Sequence, residues 1–322
     1  MRLIRGLYNI PSDFSGCVAT IGNFDGVHLG HQAILKQLKK QGEEHQLPTV
    51  VMMFEPQPRE FFAADQAPAR LANMSEKLQD LAGFGIDYVL CLPFNQKLRS
   101  MSANQFIQTI LLDGLKISHL IVGDDFRFGC DRTGDYKLLQ QAGFSVEDSK
   151  TFVLESQRVS STLVRKCLSA NDLDAASKLL GRPYRMSGRI GYGRQLGRTL
   201  GTPTANVILQ RNKLPMTGVY AVKVIEITVD HCHASQVLDP AGKVVVWQGV
   251  ANIGVKPTVA GSPEPSLEVH IFDFQGNLYG KRLSVEFCHK IREEQKFDGL
   301  DALKVAIAND MQVVREFFSL GE

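Results

Sequence analysis

The chain has little that would staple it, anchor it or give it a dominant charge. Its six cysteines stand singly, at positions 17, 91, 130, 167, 232 and 288, with no CxxC pair among 322 residues. That excludes a disulfide framework, which a chain of this length does not need. No run approaches the roughly 18 consecutive apolar residues of a membrane span. The opening MRLIRGLYNIPSDF breaks its apolar stretch at Arg5, Gly6 and Asn9, so it lacks the hydrophobic region of a signal peptide. Neither sign of charge dominates: 36 Lys and Arg against 34 Asp and Glu leave a net +2, too little for a broad field that gathers nucleic acid or an anionic membrane. The expectation is a cytoplasmic protein with no nucleic-acid or membrane partner, whose basic sites are local. Nothing in the sequence speaks to oligomeric state.

What is present is the make-up of a folded protein. Hydrophobic residues form 44% and charged residues 22%, which excludes a disordered or fibrous chain, and the length suggests two domains. One tract carries soft metal ligands, His231-Cys232-His233 with Cys288-His289 further on. Neighbours on a strand point to opposite faces and no second pair has finger-like spacing, so a turn or strand edge beside Asp230 is the simpler reading.

From Cys17 to about Leu154, β-branched runs such as CVATI, TVVMMF and HLIVG alternate with helical patterns such as HLGHQAILKQLKKQ and SANQFIQTILLDGL. That alternation predicts an α/β unit, a doubly wound parallel sheet covered on both faces. Two helical stretches follow, STLVRKCLSA and DLDAASKLLG, the second opening at Asn171 or Asp172 and closing at Gly181 before Pro183. A boundary is therefore expected near residue 184, giving domains 1–183 and 184–322. Beyond it the strands GVYAVKVIEITV, KVVVWQGVANIGV, SLEVHIFDF and RLSVEFCHKI are separated by Gly, Pro and Asn turns, which predicts a closed antiparallel β-barrel. Leu300, Leu303, Ile307, Met311, Val314 and Phe318 then recur at spacings of three and four. They predict an amphipathic C-terminal helix lying on the barrel, with Asp298 as its cap.

The first chemical constellation is Gly22-Asn23-Phe24-Asp25-Gly26-Val27-His28-Leu29-Gly30-His31, between a strand and a helix. Free N–H groups and the dipole at a helix start hold phosphate. His28 and His31 are expected on one side of the first turn, where imidazole N–H groups can stabilise charge building on phosphorus, and Gly30 between them allows close approach of substrate. By themselves two such histidines fit an ordinary solvated helix start equally well; the preceding strand and the glycines favour the phosphate reading. Arg158-Val159-Ser160-Ser161-Thr162 opens another helix, a second anion site suited to a triphosphate, although a hydroxyl N-cap explains a single serine there. Gly123-Asp124-Asp125-Phe126-Arg127-Phe128-Gly129 follows the strand HLIV, where a parallel strand's carboxyl end faces the ligand crevice. Phe126 and Phe128 serve equally well as core residues.

The second constellation is GRIGYGRQLGRTLGTPTAN, with glycines at 188, 191, 193, 197 and 201 and arginines at 189, 194 and 198. A backbone so bare can wrap phosphate oxygens. It is neither a Walker A loop nor a dinucleotide fingerprint. Thr204 and Asn206, two apart, can present oxygens that complete Mg²⁺ coordination beside ATP phosphates, or simply form a turn. Glu268 lies in SLEVHIFDF; it is either a buried carboxylate kept for use or a residue of the strand's wet face.

With both constellations in place, the sequence resembles the bacterial bifunctional riboflavin kinase and FMN adenylyltransferase family over nearly its whole length. The resemblance implies an N-terminal HxGH nucleotidyltransferase domain that moves AMP from ATP onto FMN, releasing pyrophosphate, and a C-terminal kinase barrel that phosphorylates riboflavin. It implies that Gly22, Phe24, Asp25, Gly26, His28, Gly30, His31, Arg158, Ser161 and Thr162 hold one ATP, with His28 and His31 polarising its phosphates. Gly193, Arg194, Gly197, Gly201 and Thr204 would hold the other, Thr204 and Asn206 would take Mg²⁺, and Glu268 would accept the proton of the ribityl 5′-hydroxyl. Asp125, Phe126, Phe128 and Asn252 would bind flavin, with FMN and FAD as substrate and product. Members often carry Asn where Asp125 stands; a carboxylate there needs Mg²⁺ or Arg127 beside it. The HxGH start also occurs in class I aminoacyl-tRNA synthetases, but the chain shows neither a KMSKS-like loop nor a basic tRNA-binding region. A nucleotide or flavin sensor that keeps the folds without the chemistry is the non-enzymatic alternative. Retention of His28, His31, Thr204, Asn206 and Glu268 together weighs against it.

Overall fold

Cys17–Ile21 is buried at all five positions, as a parallel strand covered on both faces must be. It is the centre of the first of two units. The computed structural model describes residues 1–123, 125–193, 201–230, 233–236, 242–257 and 263–320. The units are Met1–Pro68 with Lys77–Ser160, and Ala69–Glu76 with Ser161–Glu322.

The first unit holds β1 (Arg2–Arg5), β2 (Cys17–Ile21), β3 (Thr49–Glu55), β4 (Tyr88–Pro93), β5 (Ile117–Gly123) and β6 (Ser145–Ser149). They form one parallel sheet in the order β1-β4-β3-β2-β5-β6. From β2 the chain winds first toward β3 and β4, then returns to place β5 on the opposite side. The order therefore reverses between β2 and β5, and in such sheets ligands bind in the crevice beyond the carboxyl ends of the strands at that reversal. The helix Leu29–His45 covers the sheet through Leu35 and Leu38 and ends where Gln46 turns left-handed. A short hairpin, β7 (Val153–Leu154) with β8 (Gln157–Arg158), closes the unit.

The second unit holds β9 (Arg185–Gly191), β10 (Ala205–Ile208), β11 (Gly218–Asp230), β12 (His233–Gln236), β13 (Val246–Pro257), β14 (Pro263–Ile271) and β15 (Arg282–Arg292). Neighbours run β12-β11-β13-β14-β10-β9-β15, and β11 also pairs with β15. That last ladder closes six antiparallel strands into a barrel, with β12 as an appended hairpin arm. Alternation sets its inside: Leu283, Val285 and Phe287 of β15 are buried, while the residues between them are not.

The C-terminal helix, Leu300–Ser319, packs Val314 and Phe318 onto Ala221 and Phe272. Its start differs from expectation: Gly299, at φ 111°, occupies the N-cap position without a side-chain cap, and Asp298 does not cap it. The helix is pinned instead by Asp310, which accepts two hydrogen bonds from Arg292 of β15 at 2.8 and 2.7 Å. Asp172 caps the helix Leu173–Leu180, which ends at left-handed Gly181. Residues 69–76 are built into this second unit. Arg211, buried, pairs with Glu76 and donates to the carbonyls of Arg70 and Leu71 at 3.0 Å each.

Candidate functional site

In the first unit the chain leaves β2 at Ile21 and turns through a loop in which Phe24, Gly26 and Val27 have φ of 46°, 85° and 42°. Two non-glycine residues in the left-handed region mark a loop whose shape is imposed by its surroundings. Phe24 and Asp25 are buried, and the Phe24 ring lies 4.9 Å from that of His31. His28 is not in the first turn, as the spacing alone implied, but is the N-cap. Its Nδ1 accepts the His31 backbone N–H at 3.3 Å, so the neutral ring carries its proton on Nε2. The two imidazoles stack, 3.7 Å apart and 16° from parallel. A β-carbon at Gly30 would stand 3.2 Å from the His28 ring and 3.4 Å from the Val159 carbonyl, so this stack requires a glycine between the histidines.

Burial, reinforced by His28 and Lys77, holds the His31 pKa well below its usual value. The ring is neutral at physiological pH, and its buried Nδ1 has no hydrogen-bond partner. A buried polar atom left open in this way is costly unless a ligand completes it. Lys77, 2% exposed, is a buried cation that the sequence reading did not single out.

Beyond β5, Arg158 Nη2 meets Asp125 Oδ2 at 3.3 Å. The partner that offsets this carboxylate is thus Arg158; Arg127 faces Asp135 instead. Phe126 is half-buried and stacks on Phe128 at 5.6 Å, whereas Phe128 is 6% exposed and packs on Phe106 in the core. Of the two rings, Phe126 keeps the open face and Phe128 supports it. Ser161 and Thr162 open the helix Ser161–Ser169, which belongs to the second unit. An exposed aromatic group also went unread: Phe61 and Phe62 lie edge-on to Phe94 at 5.4 and 5.8 Å, and Phe94 to Phe54 at 5.8 Å. Phe54 is near the end of β3 and Phe94 follows β4, the same carboxyl edge that bears the β2 and β5 loops. The Phe61-Phe62 doublet was its only sequence signal.

In the second unit, Arg194 and Gly197 lie outside the described residues, as do His231 and Cys232. Gly193 leaves room for Asn206, whose amide nitrogen would be 2.2 Å from a β-carbon at 193. Gly201 turns left-handed at φ 76°. Register then gathers the candidates: Glu268 on β14 faces Asn206 across β10 and Asn252 across β13. Leu267 and Val269 are buried in the barrel while Glu268 is partly exposed, which answers the question left open by the sequence. Glu268 is on the outer face, and that face forms a cavity of about 290 Å³. Thr204, Asn252 and Glu268 line one side; Phe297, Ile307 and Met311 line the other. Asn252 donates to Glu294 Oε1 at 3.3 Å, and its buried Oδ1 has no partner. His270 Nδ1 bonds the Pro203 carbonyl at 2.8 Å, fixing the residue before Thr204.

A second cavity, of about 280 Å³, borders Thr204 together with Ile190, Leu278 and Tyr279. Tyr279 stacks with the exposed Tyr192 at 4.3 Å. Sequence reasoning missed Lys256, which ion-pairs Glu268, and the Arg292–Asp310 clamp, where Phe297 lies 5.4 Å from the guanidinium. The only signal for Lys256 was its place four residues after Asn252, on the same strand face. Among the described residues no cluster of three His, Cys, Asp or Glu could hold a metal.

A glycine-bearing helix start at the reversal point of a parallel sheet, joined in one chain to a barrel with two cavities at Thr204, has the form of a two-domain transferase. Comparison with known proteins narrows this. Residues 10–163 match the FAD synthetase family model and residues 180–318 the riboflavin kinase model. The bifunctional riboflavin kinase/FMN adenylyltransferase of Pseudomonas fluorescens is 53% identical, covering 98% of this chain and 97% of that one. The protein of the same name from Escherichia coli K12 is 47% identical over 99% of each chain. A crystal structure titled as a macrolide-efflux protein from Streptococcus pneumoniae superposes with a TM-score of 0.76 at 28% identity, covering 98% of this chain and 99% of that one. Among the described residues no helix is long and apolar enough to cross a membrane. The chain belongs to the family of bifunctional riboflavin kinase/FMN adenylyltransferases.

Proposed function

We propose that the chain makes FAD from riboflavin in two ATP-dependent steps, phosphorylation of riboflavin by the barrel and adenylylation of the resulting FMN by the parallel-sheet domain. We assign adenylyl transfer to residues 1–183 and phosphorylation to residues 184–322. The observation that carries the proposal is that Thr204 borders both barrel cavities, with Glu268 in only one of them. Nucleotide in the cavity beside Tyr279 and flavin in the cavity beneath the C-terminal helix would bring γ-phosphate and 5′-hydroxyl together at Thr204.

There Glu268 takes the hydroxyl proton as the oxygen attacks the γ-phosphorus and ADP leaves. Phosphoryl transfer needs little more than positioning and charge neutralisation. The open Asn252 Oδ1 accepts from a hydroxyl of the ribityl chain. Thr204 and Asn206, neutral oxygen donors of the hard type, would hold the Mg²⁺ that accompanies ATP and offsets phosphate charge. Gly193 and Gly201 would contact the phosphates of this nucleotide, and Arg194 and Gly197 are assigned to the same ligand.

In the other site, an FMN phosphate oxygen attacks the α-phosphorus of ATP and pyrophosphate leaves. Gly22, Phe24, Asp25, Gly26 and Gly30 shape the loop that would receive the nucleotide; His28 and neutral His31 donate to the charge that develops on the phosphate oxygens, a role worth several kcal/mol where water is excluded. Arg158 holds the leaving end of the triphosphate. Phe126, supported by Phe128 and beside Asp125, together with the exposed Phe61–Phe62–Phe94 group, offers flat aromatic surface to the flavin ring. The test is incubation of the purified chain with riboflavin, ATP and Mg²⁺. FMN should form first and FAD follow, with ADP and pyrophosphate released; absence of FMN would favour a nucleotide or flavin sensor.

A further inference from the structure

Glu268 is held in an unusual way for a strand residue. Its register neighbours are both asparagines, and Asn252 directs its amide to Glu294. The cation that reaches it is Lys256, whose Nζ pairs with Glu268 Oε1. In register Lys256 stands opposite Glu264, not Glu268, so its stem must lie along the sheet face toward Asn252 to arrive there. Both side chains are partly exposed, 44% for Lys256 and 29% for Glu268. An ion pair this wet contributes only about 0–1 kcal/mol to stability. Its consequence is geometric: one carboxylate oxygen is taken, and the other is left for the cavity.

We infer that Lys256 is a positioning residue for riboflavin phosphorylation, fixing the Glu268 carboxylate through Oε1 so that Oε2 meets the attacking hydroxyl. The inference rests on the reading of Glu268 as the base. In the step itself the hydroxyl O–H bond breaks and its proton passes to Oε2. The oxygen–phosphorus bond forms as the bond to ADP breaks, while Lys256 keeps its proton throughout. Misplacing a base by about 1 Å costs up to about 100-fold in rate, so the pairing belongs to kcat and not to substrate affinity.

The test is steady-state kinetics on the full chain. K256M should lower kcat for FMN formation about 10- to 100-fold, with KM for riboflavin and ATP within about twofold. K256R should recover most of the loss by restoring the cation, and FAD formation from supplied FMN should not change. In an E268Q background, K256M should add no more than about twofold, because the group it positions is gone. Unchanged kcat in K256M would overturn the inference. So would a loss confined to the KM for ATP, which would make Lys256 a triphosphate anchor, or an equal loss in the E268Q background. If E268Q itself retains full kinase rate, the reading of Glu268 fails; if E268Q is impaired while K256M is not, only the role of Lys256 fails.

Discussion

In the first unit the rings nearest the expected phosphate are a stacked pair: His28 lends its Nδ1 to the backbone of His31, and burial, reinforced by His28 and Lys77, keeps His31 neutral. The second unit arranges full charges in pairs, Lys256 with Glu268 and Arg292 with Asp310, around a cavity that a single helix covers. The difference follows from the chemistry asked of each. Adenylyl transfer to a phosphate has no hydroxyl proton to remove, so N–H donors at a helix start suffice. Phosphorylation of an alcohol needs a base, and a base needs a fixed orientation.

The sharpest way to break this contrast is E268Q. Loss of a positioned base should lower FMN formation by about 10²–10⁴-fold and leave FAD formation from supplied FMN intact; equal loss of both would dissolve the contrast. Next in size, H28A combined with H31A should lower FAD formation by at least about 10²–10³-fold, with FMN formation retained, read by separate initial rates. D310N is expected to be milder. It weakens a two-point clamp that is only partly buried and costs about 1–3 kcal/mol, which should appear as roughly a tenfold rise in the riboflavin KM through the loosened cavity roof, with the KM for ATP steady. The smallest effect is on stability. Below pH 6.5 an unfolded chain protonates His31 while the folded chain does not, so this residue's contribution falls as pH drops. H31Q should flatten the slope of unfolding free energy against pH below 6.5, and an unchanged slope would show that His31 is not held neutral.

Much of this was legible because it is local. A buried strand, a glycine turn and a helix start occupy consecutive positions from Cys17 to His31, and alternation in RLSVEF marks the inside of a barrel strand. The pairing partners were not legible. Lys256 and Arg292 read as ordinary strand cations until the fold pairs them with Glu268 and Asp310. Asp298 read as a cap, but Gly299 reaches a φ of 111° that suits glycine and occupies that position instead. The face of Glu268 could be decided only once Leu267 and Val269 were seen inside the barrel, since period-two alternation fixes which residues share a face but not which face is wet.

The claim on which the account depends is that one polypeptide holds separate nucleotide sites of these two kinds. Calorimetric titration of the intact chain with a nonhydrolysable ATP analogue and Mg²⁺ tests it most directly. The account predicts two molecules bound per chain, reduced to one by H28A with H31A; one molecule bound per unsubstituted chain would contradict it.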